Sequence, residues 1–248
     1  MDTQPAADTV LAYNTPNGNF VPYENDYIIT GWLRGNHIFD ESLVNKCLKN
    51  IIKKSKHILD IGANIGCHAV SYAKFNPNAS IIAFEPQKEI FEKLCINKQI
   101  NNLDNLVCAN YSVGHVASMV SMNPPLQTPD GTNYAGTGLG EGGEQTQMIT
   151  IDSLNLPGVD FIKMDVQGSE GLVIMGARET IRKYKPTIFF EHDDTRVKPE
   201  HVGLENIPTP FFELVALGYN TFTYLGEHNY ITHWDPECNF VQREGYTI

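Results

Sequence analysis

The residues best suited to chemistry lie at the end of a short apolar segment, His57 to Ile61, and in the turn that follows it. They form the motif Asp60-Ile-Gly62-Ala63-Asn64-Ile-Gly66. Gly62 allows a sharp turn and the close approach of a ligand to the backbone, and Gly66 allows close packing of the helix that follows. The free N–H groups at the start of that helix suit a carboxylate, and Asp60 can accept hydrogen bonds from an ammonium group. The motif therefore indicates a site for the zwitterionic end of an amino acid.

A second acidic residue, Glu85, follows the next apolar segment, Ile81 to Phe84. It lies about 20 residues beyond the glycine turn, where an acidic side chain can accept hydrogen bonds from both hydroxyls of a ribose. The two motifs in this order indicate a ligand that joins a nucleoside to an amino acid, such as S-adenosylmethionine. A dinucleotide is disfavoured, because Gly62 and Gly66 are four residues apart and do not form a G-x-G-x-x-G motif.

Segments of strand and helix pattern alternate around these motifs. The expected strands are His57 to Ile61, Ile81 to Phe84, Leu106 to Ala109, Phe161 to Met164, Thr187 to Glu191, and two closing strands, Tyr219 to Tyr224 and Asn239 to Arg243. The expected helices are Leu43 to Lys54, Gly66 to Phe75, Lys88 to Ile100, Ser169 to Tyr184 with an interruption at Gly176, and Phe211 to Leu217. This alternation predicts a parallel sheet with helices on both faces. Ligands of such sheets bind beyond the carboxyl ends of the strands.

The composition narrows the classes of function. The 248 residues include 18 Lys and Arg against 29 Asp and Glu, which gives a formal charge of −11. A nucleic-acid substrate is not expected, because affinity for a phosphate backbone comes mostly from basic side chains. No apolar run approaches the roughly 20 residues of a membrane-spanning helix. The five scattered cysteines include no C-x-x-C motif, which favours reduced thiols and a cytoplasmic location.

The sequence is expected to divide into an N-terminal arm, residues 1–39, and a single domain, residues 40–248. Residues 1–26 are polar with little periodicity, and we expect them to be extended or mobile. Within the domain, residues 123–145 form a Gly-rich insertion without apolar periodicity. A loop of this length inside a compact domain is usually functional or disordered. Two interpretations stay open, a mobile insertion in a hairpin and a lid over the substrate.

Four segments of the chain carry the pattern of a known family. They read LDIGANIGCHAVSYA, AFEPQKEIFEKLCINKQIN, ITIDSLNLPGVDFIKMDVQGSEGLVIMGA and PTIFFEH. Together they resemble the FkbM family of S-adenosylmethionine-dependent methyltransferases, over residues 40–243. The resemblance implies an α/β fold of the class I methyltransferase type, with a doubly wound, Rossmann-like, mostly parallel seven-stranded sheet and an antiparallel last strand. It also implies O-methylation of hydroxyls, commonly on sugars or polyketide-type metabolites.

The same resemblance implies which residues contact the cofactor S-adenosylmethionine. The residues implied at its methionine end are Asp60, Gly62, Ala63, Asn64 and Gly66. Those implied at the ribose are Glu85 and Pro86, and those implied near the adenine are Asn110, Tyr111 and Ser112. His68, in the first turn of the helix after the glycine motif, either contacts cofactor or acceptor or is satisfied within its helix.

Methyl transfer to a hydroxyl requires a group that accepts the hydroxyl proton, and the candidates lie at strand ends. They are Asp165, Glu191 and His192. His192 is the first choice, because an imidazole titrates near neutral pH. Gln167 stands where the family usually carries glutamate, and it is given no acid/base role because an amide has no charge to exchange.

Three other charged features lie near these strand ends. Lys163 interrupts an apolar strand, so it is either buried and paired or directed into the site as a further catalytic candidate. Pairing with Asp60 or Asp165 is favoured, because an unpaired buried ammonium is costly. Glu170 is expected to cap the next helix, where a carboxylate complements the helix dipole. The adjacent acids Asp193-Asp194 fit a solvated loop better than a metal site, so no metal ion is expected.

The sequence therefore predicts an O-methyltransferase that acts on a hydroxyl of a sugar, glycan or small metabolite, with no nucleic-acid or membrane partner. One alternative is an N-methyltransferase that uses the segment Asn123-Pro-Pro-Leu126. In that motif an aromatic ring normally stacks on a planar acceptor, and Leu126 has none. Another alternative is a non-catalytic protein that binds the cofactor and serves as an interaction subunit.

Overall fold

A seven-stranded sheet forms the centre of the computed structural model, which describes residues 12–23, 25–192, 202, 204 and 206–235. The strands, in chain order, are β1 (Tyr13–Thr15), β2 (Gly18–Phe20), β3 (His57–Ile61), β4 (Ser80–Phe84), β5 (Leu106–Ala109), β6 (Ser112–Val113), β7 (Ser118–Ser121), β8 (Leu126–Thr128), β9 (Gly131–Asn133), β10 (Gln145–Ile149), β11 (Phe161–Met164), β12 (Thr187–Glu191), β13 (Phe222–Gly226) and β14 (Asn229–Thr232). The order across the central sheet is β13-β14-β12-β11-β3-β4-β5.

The strand directions match the predicted fold class. From β12 through β11, β3 and β4 to β5, each neighbouring pair is parallel. The last strand of the described residues, β14, is antiparallel to both of its neighbours, β12 and β13. The prediction of a Rossmann-like, mostly parallel seven-stranded sheet with an antiparallel last strand is therefore confirmed.

Helices cover both faces of this sheet. They are α1 (Tyr27–Arg34), α2 (Glu41–Leu43), α3 (Lys49–Ile52), α4 (Cys67–Phe75), α5 (Lys88–Ile100), α6 (Glu170–Met175), α7 (Arg178–Tyr184) and α8 (Pro210–Ala216). A π-helical turn, Val44–Leu48, joins α2 to α3. Apolar residues of α1 to α5 pack on one face of the sheet and those of α6 to α8 on the other. Within the described residues, no helix is long and apolar enough to cross a lipid bilayer.

The predicted interruption of the helix after β11 is confirmed. The helix ends at Met175 and a second helix begins at Arg178, with Gly176 between them. A Cβ at Gly176 would lie 1.9 Å from the carbonyl oxygen of Gly114. The glycine therefore permits the close approach of the loop that follows β6.

The N-terminal segment differs from the expected arm. Strands β1 and β2 form a hairpin, and the side chain of Asn97 in α5 hydrogen-bonds both the N–H and the carbonyl of Val21. Phe20, Ile29 and Leu33 are buried in the main core. The segment is extended at residues 13–15 and 18–20, as expected, but it packs on the domain, because a few apolar side chains anchor a mostly polar stretch. The domain boundary at residue 40 stays a prediction.

Two further expectations need correction. The first closing strand was expected at Tyr219 to Tyr224, but it begins at Phe222 and pairs with β14 in a hairpin. Tyr219 precedes it as a buried residue whose hydroxyl donates a hydrogen bond to the Pro186 carbonyl. The expected strand at residues 239–243 lies outside the described residues. The Gly-rich insertion is not structureless, because β8 pairs with β9 and its last residue begins β10, which pairs with β6 and β7.

Substitution of Gly62 by alanine tests whether the backbone at this position requires a glycine. Gly62 has a φ of +76°, and a Cβ there would lie 1.9 Å from the carbonyl oxygen of Asp165. We expect Gly62→Ala to lower the free energy of unfolding by at least about 2 kcal/mol, because both backbone strain and a steric clash oppose it. Urea unfolding followed by circular dichroism measures the change.

Gly31 of α1 is the matched control, because no atom would lie within 4 Å of its added Cβ. Gly31→Ala should leave stability unchanged or raise it by about 0.5–1 kcal/mol, since alanine is the better helix former. Equal effects of the two substitutions would contradict the role given to Gly62.

Candidate active site

A cavity that opens to solvent lies at the carboxyl ends of β3, β4 and β11. The polar and turn residues that line it are Gly62, Ala63, Asn64, His68, Glu85, Pro86, Gln87, Tyr111, Ser112, Lys163, Asp165, Gln167 and Ser169. The site therefore lies where the alternation of strands and helices predicts it.

The glycine turn after β3 forms one wall of the cavity. Gly62, Asn64 and Gly66 have φ values of 76°, 52° and 92°, so three residues of the turn are in left-handed conformations before α4 begins. A Cβ at Gly66 would lie 2.6 Å from the Leu94 side chain, which confirms that this glycine allows close packing of the helix. Gly62, Ala63 and Asn64 line the cavity, as the sequence predicts.

Asp60 does not reach the cavity, although it was expected to face the ammonium group of the ligand. Its side chain is fully buried, and its Oδ1 lies 3.2 Å from the Nζ of Lys163. The two residues are register partners on the adjacent strands β3 and β11, so their side chains project to the same face of the sheet. Asp60 is therefore corrected from a ligand contact to the partner of a buried lysine.

Lys163 sits at the centre of this charged cluster. Its Nζ donates a hydrogen bond of 2.6 Å to the Gly62 carbonyl and lies 3.8 Å from Asp165 Oδ2. Burial alone would lower the pKa of Lys163, but the carboxylates of Asp60 and Asp165 outweigh burial and raise it. Burial also raises the pKa of Asp60, against the opposing effect of Lys163. The predicted pairing of Lys163 is confirmed with both proposed partners.

Glu85 lies against the cavity as predicted, and the backbone holds its carboxylate. The N–H groups of Asn64 and Gln87 each donate a 2.9 Å hydrogen bond to it. Burial raises the pKa of Glu85 to about 7, although these hydrogen bonds oppose the shift. A carboxylate with this pKa changes charge in the neutral range, so its interaction with a hydroxyl donor depends on pH.

Asn110 has a different role from its two neighbours. Its side-chain N–H group donates hydrogen bonds to the carbonyls of Glu85 and Pro86, at 2.9 and 3.1 Å, and thereby fixes the turn after β4. Tyr111 and Ser112 line the cavity itself. The structure thus brings Tyr111 and Ser112 to the site, whereas Asn110 supports the wall from behind.

His68 lines the cavity and is also satisfied by its own helix. Its Nδ1 lies 3.1 Å from the hydroxyl of Tyr72, and its Nε2 lies 3.8 Å from Asp40. Burial, assisted by Lys163, lowers the pKa of His68 to about 3, so the imidazole is neutral. Asp40 was not identified from the sequence. Burial and the nearby Asp165 raise the pKa of Asp40 to about 6. No local sequence pattern indicates this residue, because Asp40 comes close to His68 only when the N-terminal segment is folded.

A glutamine joins the two acidic residues at the ends of β11 and β12. The side-chain N–H group of Gln167 donates hydrogen bonds to Asp165 at 2.7 Å and to Glu191 at 2.9 Å. Burial alone would raise the pKa of Asp165, but the positive charge of Lys163, together with the neighbouring side chains of Glu191 and Gln167, outweighs burial and lowers it. Asp165 is therefore an ionised carboxylate on the cavity wall.

Glu170 has the capping role that the sequence predicts. Its Oε1 accepts hydrogen bonds from the N–H groups of Val166 and Gly168, at 3.0 and 3.3 Å, and so closes the turn that precedes α6. Burial raises the pKa of Glu170 to about 7. This contact fixes the loop that carries Asp165 and Gln167.

His192 is not at the cavity, although it was the first choice for a base. Successive residues of a strand point to opposite faces. Glu191 follows the Lys163 side of the sheet, whereas His192 packs against Phe211 of α8 on the other side, with ring centroids 5.3 Å apart. His192 is therefore corrected from a base candidate to a packing residue.

Two segments that are distant in sequence cover the cavity. Ile29 and Phe39 come from the N-terminal segment, and Ala135, Thr137 and Leu139 come from the insertion. The segments also contact each other, because the Thr132 N–H donates a 2.8 Å hydrogen bond to the Asn25 carbonyl. Of the two interpretations of the insertion, this position favours a lid over a mobile insertion in a hairpin.

Asn123 is held within the insertion and is not among the residues that line the cavity. Its side chain donates to the Leu139 carbonyl at 3.1 Å and accepts from the Glu141 N–H at 3.3 Å. The segment follows β7 of the small sheet. The structure therefore gives the Asn-Pro-Pro-Leu segment a structural role.

Among residues 12–23, 25–192, 202, 204 and 206–235, no group of three or more His, Cys, Asp or Glu side chains is arranged to hold a metal ion. The acidic pair Asp193-Asp194 lies outside these ranges.

Comparisons with known proteins agree with the motifs at the site. The family model described as the methyltransferase FkbM domain matches residues 60–232, more than half of the chain. The 2-O-methyltransferase NoeI of Sinorhizobium fredii is 27% identical over 180 residues, which cover 64% of this chain and 73% of that protein.

Solved structures are similar at lower identity. The methyltransferase FkbM of Methylobacillus flagellatus is 20% identical with a TM-score of 0.42, over 57% of this chain and 34% of that one. The chain thus spans about a third of that protein. The fibrillarin of Aeropyrum pernix, solved with natively bound S-adenosyl-L-methionine, is 15% identical with a TM-score of 0.46, over 77% of this chain and 74% of that one.

Removal of the Lys163 ammonium should lower the stability of the fold, because its acidic partners stay buried. We expect Lys163→Met to lower the free energy of unfolding by about 3–5 kcal/mol, because it leaves the Asp60 carboxylate buried without a cation. A buried acid of raised pKa stabilises the fold when protonated, and this contribution is lost as pH rises. The loss should therefore be larger at pH 8 than at pH 5, which urea titrations at both values measure.

Lys183 of α7 provides the control, because it is an exposed lysine whose ammonium lies over the Tyr184 ring. Lys183→Met should change stability by less than about 1 kcal/mol. A loss for Lys163→Met that is no larger, or that is larger at pH 5, would contradict the role of the cluster.

Proposed function

The chain belongs to the FkbM family of methyltransferases, and we propose that it transfers a methyl group from S-adenosylmethionine to a hydroxyl oxygen of a sugar, glycan or small metabolite. Methyltransferase activity follows from the family, and S-adenosylmethionine is the cofactor. When bound, the cofactor supplies a methyl group that its positive sulfur already activates. The observation that carries the choice of oxygen is the carboxyl group of Asp165 on the cavity wall, 3.8 Å from the ammonium of Lys163.

The residues present fit this cofactor. Gly62 and Ala63 offer backbone without bulk at the wall of the cavity, beside Asn64. Glu85 has a buried carboxylate fixed by two backbone N–H groups, at the place expected for ribose hydroxyls. Tyr111 and Ser112 line the adjacent part of the cavity, where the adenine is expected. Asp60 has no part in this contact, since it is buried against Lys163.

The chemistry required of the protein is mainly positioning. A hydroxyl is a poor nucleophile until its proton can leave, so a hydrogen-bond acceptor must face it. Asp165 serves that role, because its lowered pKa keeps it ionised. It accepts the hydroxyl proton as the new bond to oxygen forms. A base of low pKa is weak, so its main contribution is to orient the oxygen, and such orientation can lower a barrier by several kcal/mol.

Gln167 acts through Asp165. Its amide presents two N–H donors, and the two carboxylates of Asp165 and Glu191 accept them. A glutamate at this position would add a third negative group where the glutamine donates. Lys163 supplies the compensating positive charge 3.8 Å from Asp165. These two contacts fix the direction of the Asp165 carboxylate toward the cavity.

The walls of the cavity favour an uncharged acceptor. Of the residues that line it within the described ranges, Lys163 is the sole lysine or arginine, and it is already paired. A polyanion such as nucleic acid would require several free cations. The name of the S. fredii relative, a 2-O-methyltransferase, supports oxygen as the target atom. No observation favours nitrogen, since Asn123 is held by its own loop.

Acceptor screening tests the proposal. Purified protein is incubated with S-adenosylmethionine carrying a labelled methyl group and a panel of sugars, oligosaccharides and small hydroxylated metabolites. The expected result is labelled ether product and S-adenosylhomocysteine that depend on an acceptor. Label on nitrogen would indicate the N-methyltransferase alternative. Cofactor binding without turnover on any acceptor would indicate a non-catalytic subunit.

Asp165→Asn should separate catalysis from cofactor binding. The amide keeps the shape of the side chain but cannot take the proton, so we expect kcat to fall by about 100-fold or more. The Kd for S-adenosylhomocysteine, measured by calorimetry, should stay within about threefold, because no cofactor contact is removed. His192→Asn is the control and should keep wild-type turnover. The reverse pattern would return the base role to His192.

The affinity for S-adenosylhomocysteine should depend on pH through Glu85. The pKa of Glu85 is about 7, and only the ionised form accepts hydrogen bonds from both ribose hydroxyls. The ionised fraction rises from about one tenth at pH 6 to about nine tenths at pH 8, so the Kd should fall by up to about tenfold over that range.

Glu85→Gln is the control for this pH dependence. Glu170 and Asp40 also titrate near neutral pH, with pKa values of about 7 and about 6, and both remain in the variant. The difference between wild type and variant therefore isolates Glu85. Calorimetry at pH 6, 7 and 8 should give weaker and nearly constant binding for the variant, and an unchanged slope would contradict the assignment.

A further inference from the structure

The Gly-rich insertion carries a buried hydroxyl group, that of Thr137, at the wall of the cavity. Thr137 is 8% exposed and lines the cavity. Its Oγ1 has no hydrogen-bond partner among the described residues. Buried polar side chains normally have a partner, because an unsatisfied donor or acceptor costs free energy. A hydroxyl with this burial on a cavity wall therefore points to a polar atom of a ligand.

A second threonine in the same insertion shows the contrast. Thr132 is 6% exposed, and its hydroxyl donates a 2.9 Å hydrogen bond to the side chain of Gln127. It contributes to the hairpin β8–β9 and is not among the residues that line the cavity. Burial in the insertion thus does not by itself leave a hydroxyl unpaired.

The contacts around Thr137 locate it above the cofactor wall. On one side, its N–H bonds the Tyr134 carbonyl, which also accepts a hydrogen bond from the Gln87 side chain beyond β4. On the other side, a Cβ at Gly138 would lie 2.9 Å from the Gln167 carbonyl oxygen, in the turn after β11. Strand β3 lies between β4 and β11. Thr137 therefore lies between these two contacts, over the carboxyl end of β3 and its glycine turn.

We propose that Thr137 is a cofactor-contacting residue, whose hydroxyl hydrogen-bonds the nucleoside part of S-adenosylmethionine above the glycine turn. This inference rests on the proposed function, because it assigns the ligand of the same cavity. It gives the insertion a defined task in cofactor binding. The insertion closes the cavity above the glycine turn and supplies a polar contact there.

Calorimetry with S-adenosylhomocysteine tests the proposal without any need for turnover. Thr137→Val keeps the shape of the side chain and removes the hydroxyl, and its Kd should be about 5- to 20-fold weaker than that of the wild type. Thr137→Ser restores the hydroxyl, and its Kd should return to within about threefold of the wild-type value. Thr132→Val is the control in the same insertion, and its Kd should match the wild type.

Thermal unfolding without ligand separates a binding role from a structural one. Thr137→Val should keep or raise the Tm of the free protein, because no internal hydrogen bond is removed. Thr132→Val should lower it by about 2–4 °C, because it loses the contact with Gln127. A Thr137→Val protein that melts well below wild type would overturn the proposal, since its hydroxyl would then have an internal partner.

Two binding results distinguish the ways in which the proposal fails. If the wild type and Thr137→Val bind S-adenosylhomocysteine equally well, the contact is wrong and the proposed function stands. If the wild type binds no S-adenosylhomocysteine, the proposed function is wrong, and the inference fails with it.

Discussion

One buried ammonium group connects the two halves of the site. Lys163 Nζ donates to the carbonyl of Gly62 at 2.6 Å, lies 3.2 Å from Asp60 and lies 3.8 Å from Asp165. It therefore connects the glycine turn, proposed to face the cofactor, to the carboxylate proposed to face the acceptor. Removing ions from water costs several kcal/mol each, and only well-placed partners compensate for this. The parallel pairing of β3 and β11 sets that placement, because it makes Lys163 and Asp60 register partners.

The charge balance of this cluster explains the glutamine at its edge. Asp60, Asp165 and Glu191 are three acids that share one cation, Lys163. Gln167 adds two donor N–H groups without adding charge, and it contacts Asp165 and Glu191 at once. The left-handed backbone at Gln167, with a φ of 56°, turns its side chain toward both. The neutral side chain thus supports an arrangement that a further carboxylate would oppose by repulsion.

Local sequence patterns predicted the sheet, the glycine turn, Glu85 and the pairing of Lys163, because each depends on spacing along one or two adjacent elements. They failed where the answer depends on packing between distant segments. His192 was assigned to the site because it ends a strand, but a shift of one residue along a strand reverses the face. The cover over the cavity had no detectable signal, because residues of the N-terminal segment such as Ile29 meet the insertion only in the folded chain.

The two sides of the cavity come from different parts of the fold, and this difference indicates different tasks for them. The cofactor wall consists of turns at the ends of β3, β4 and β5, whose positions are fixed by the central sheet. The opposite side contains Ile29, Phe39 and Leu139, from segments that are joined to each other by the hydrogen bond from Thr132 to Asn25. Covering segments of this kind tolerate sequence change better than sheet ends do. The choice of acceptor can therefore vary at apolar positions of the cover such as Ile29, Phe39 and Leu139, while Thr137 and the charged cluster keep one geometry for methyl transfer.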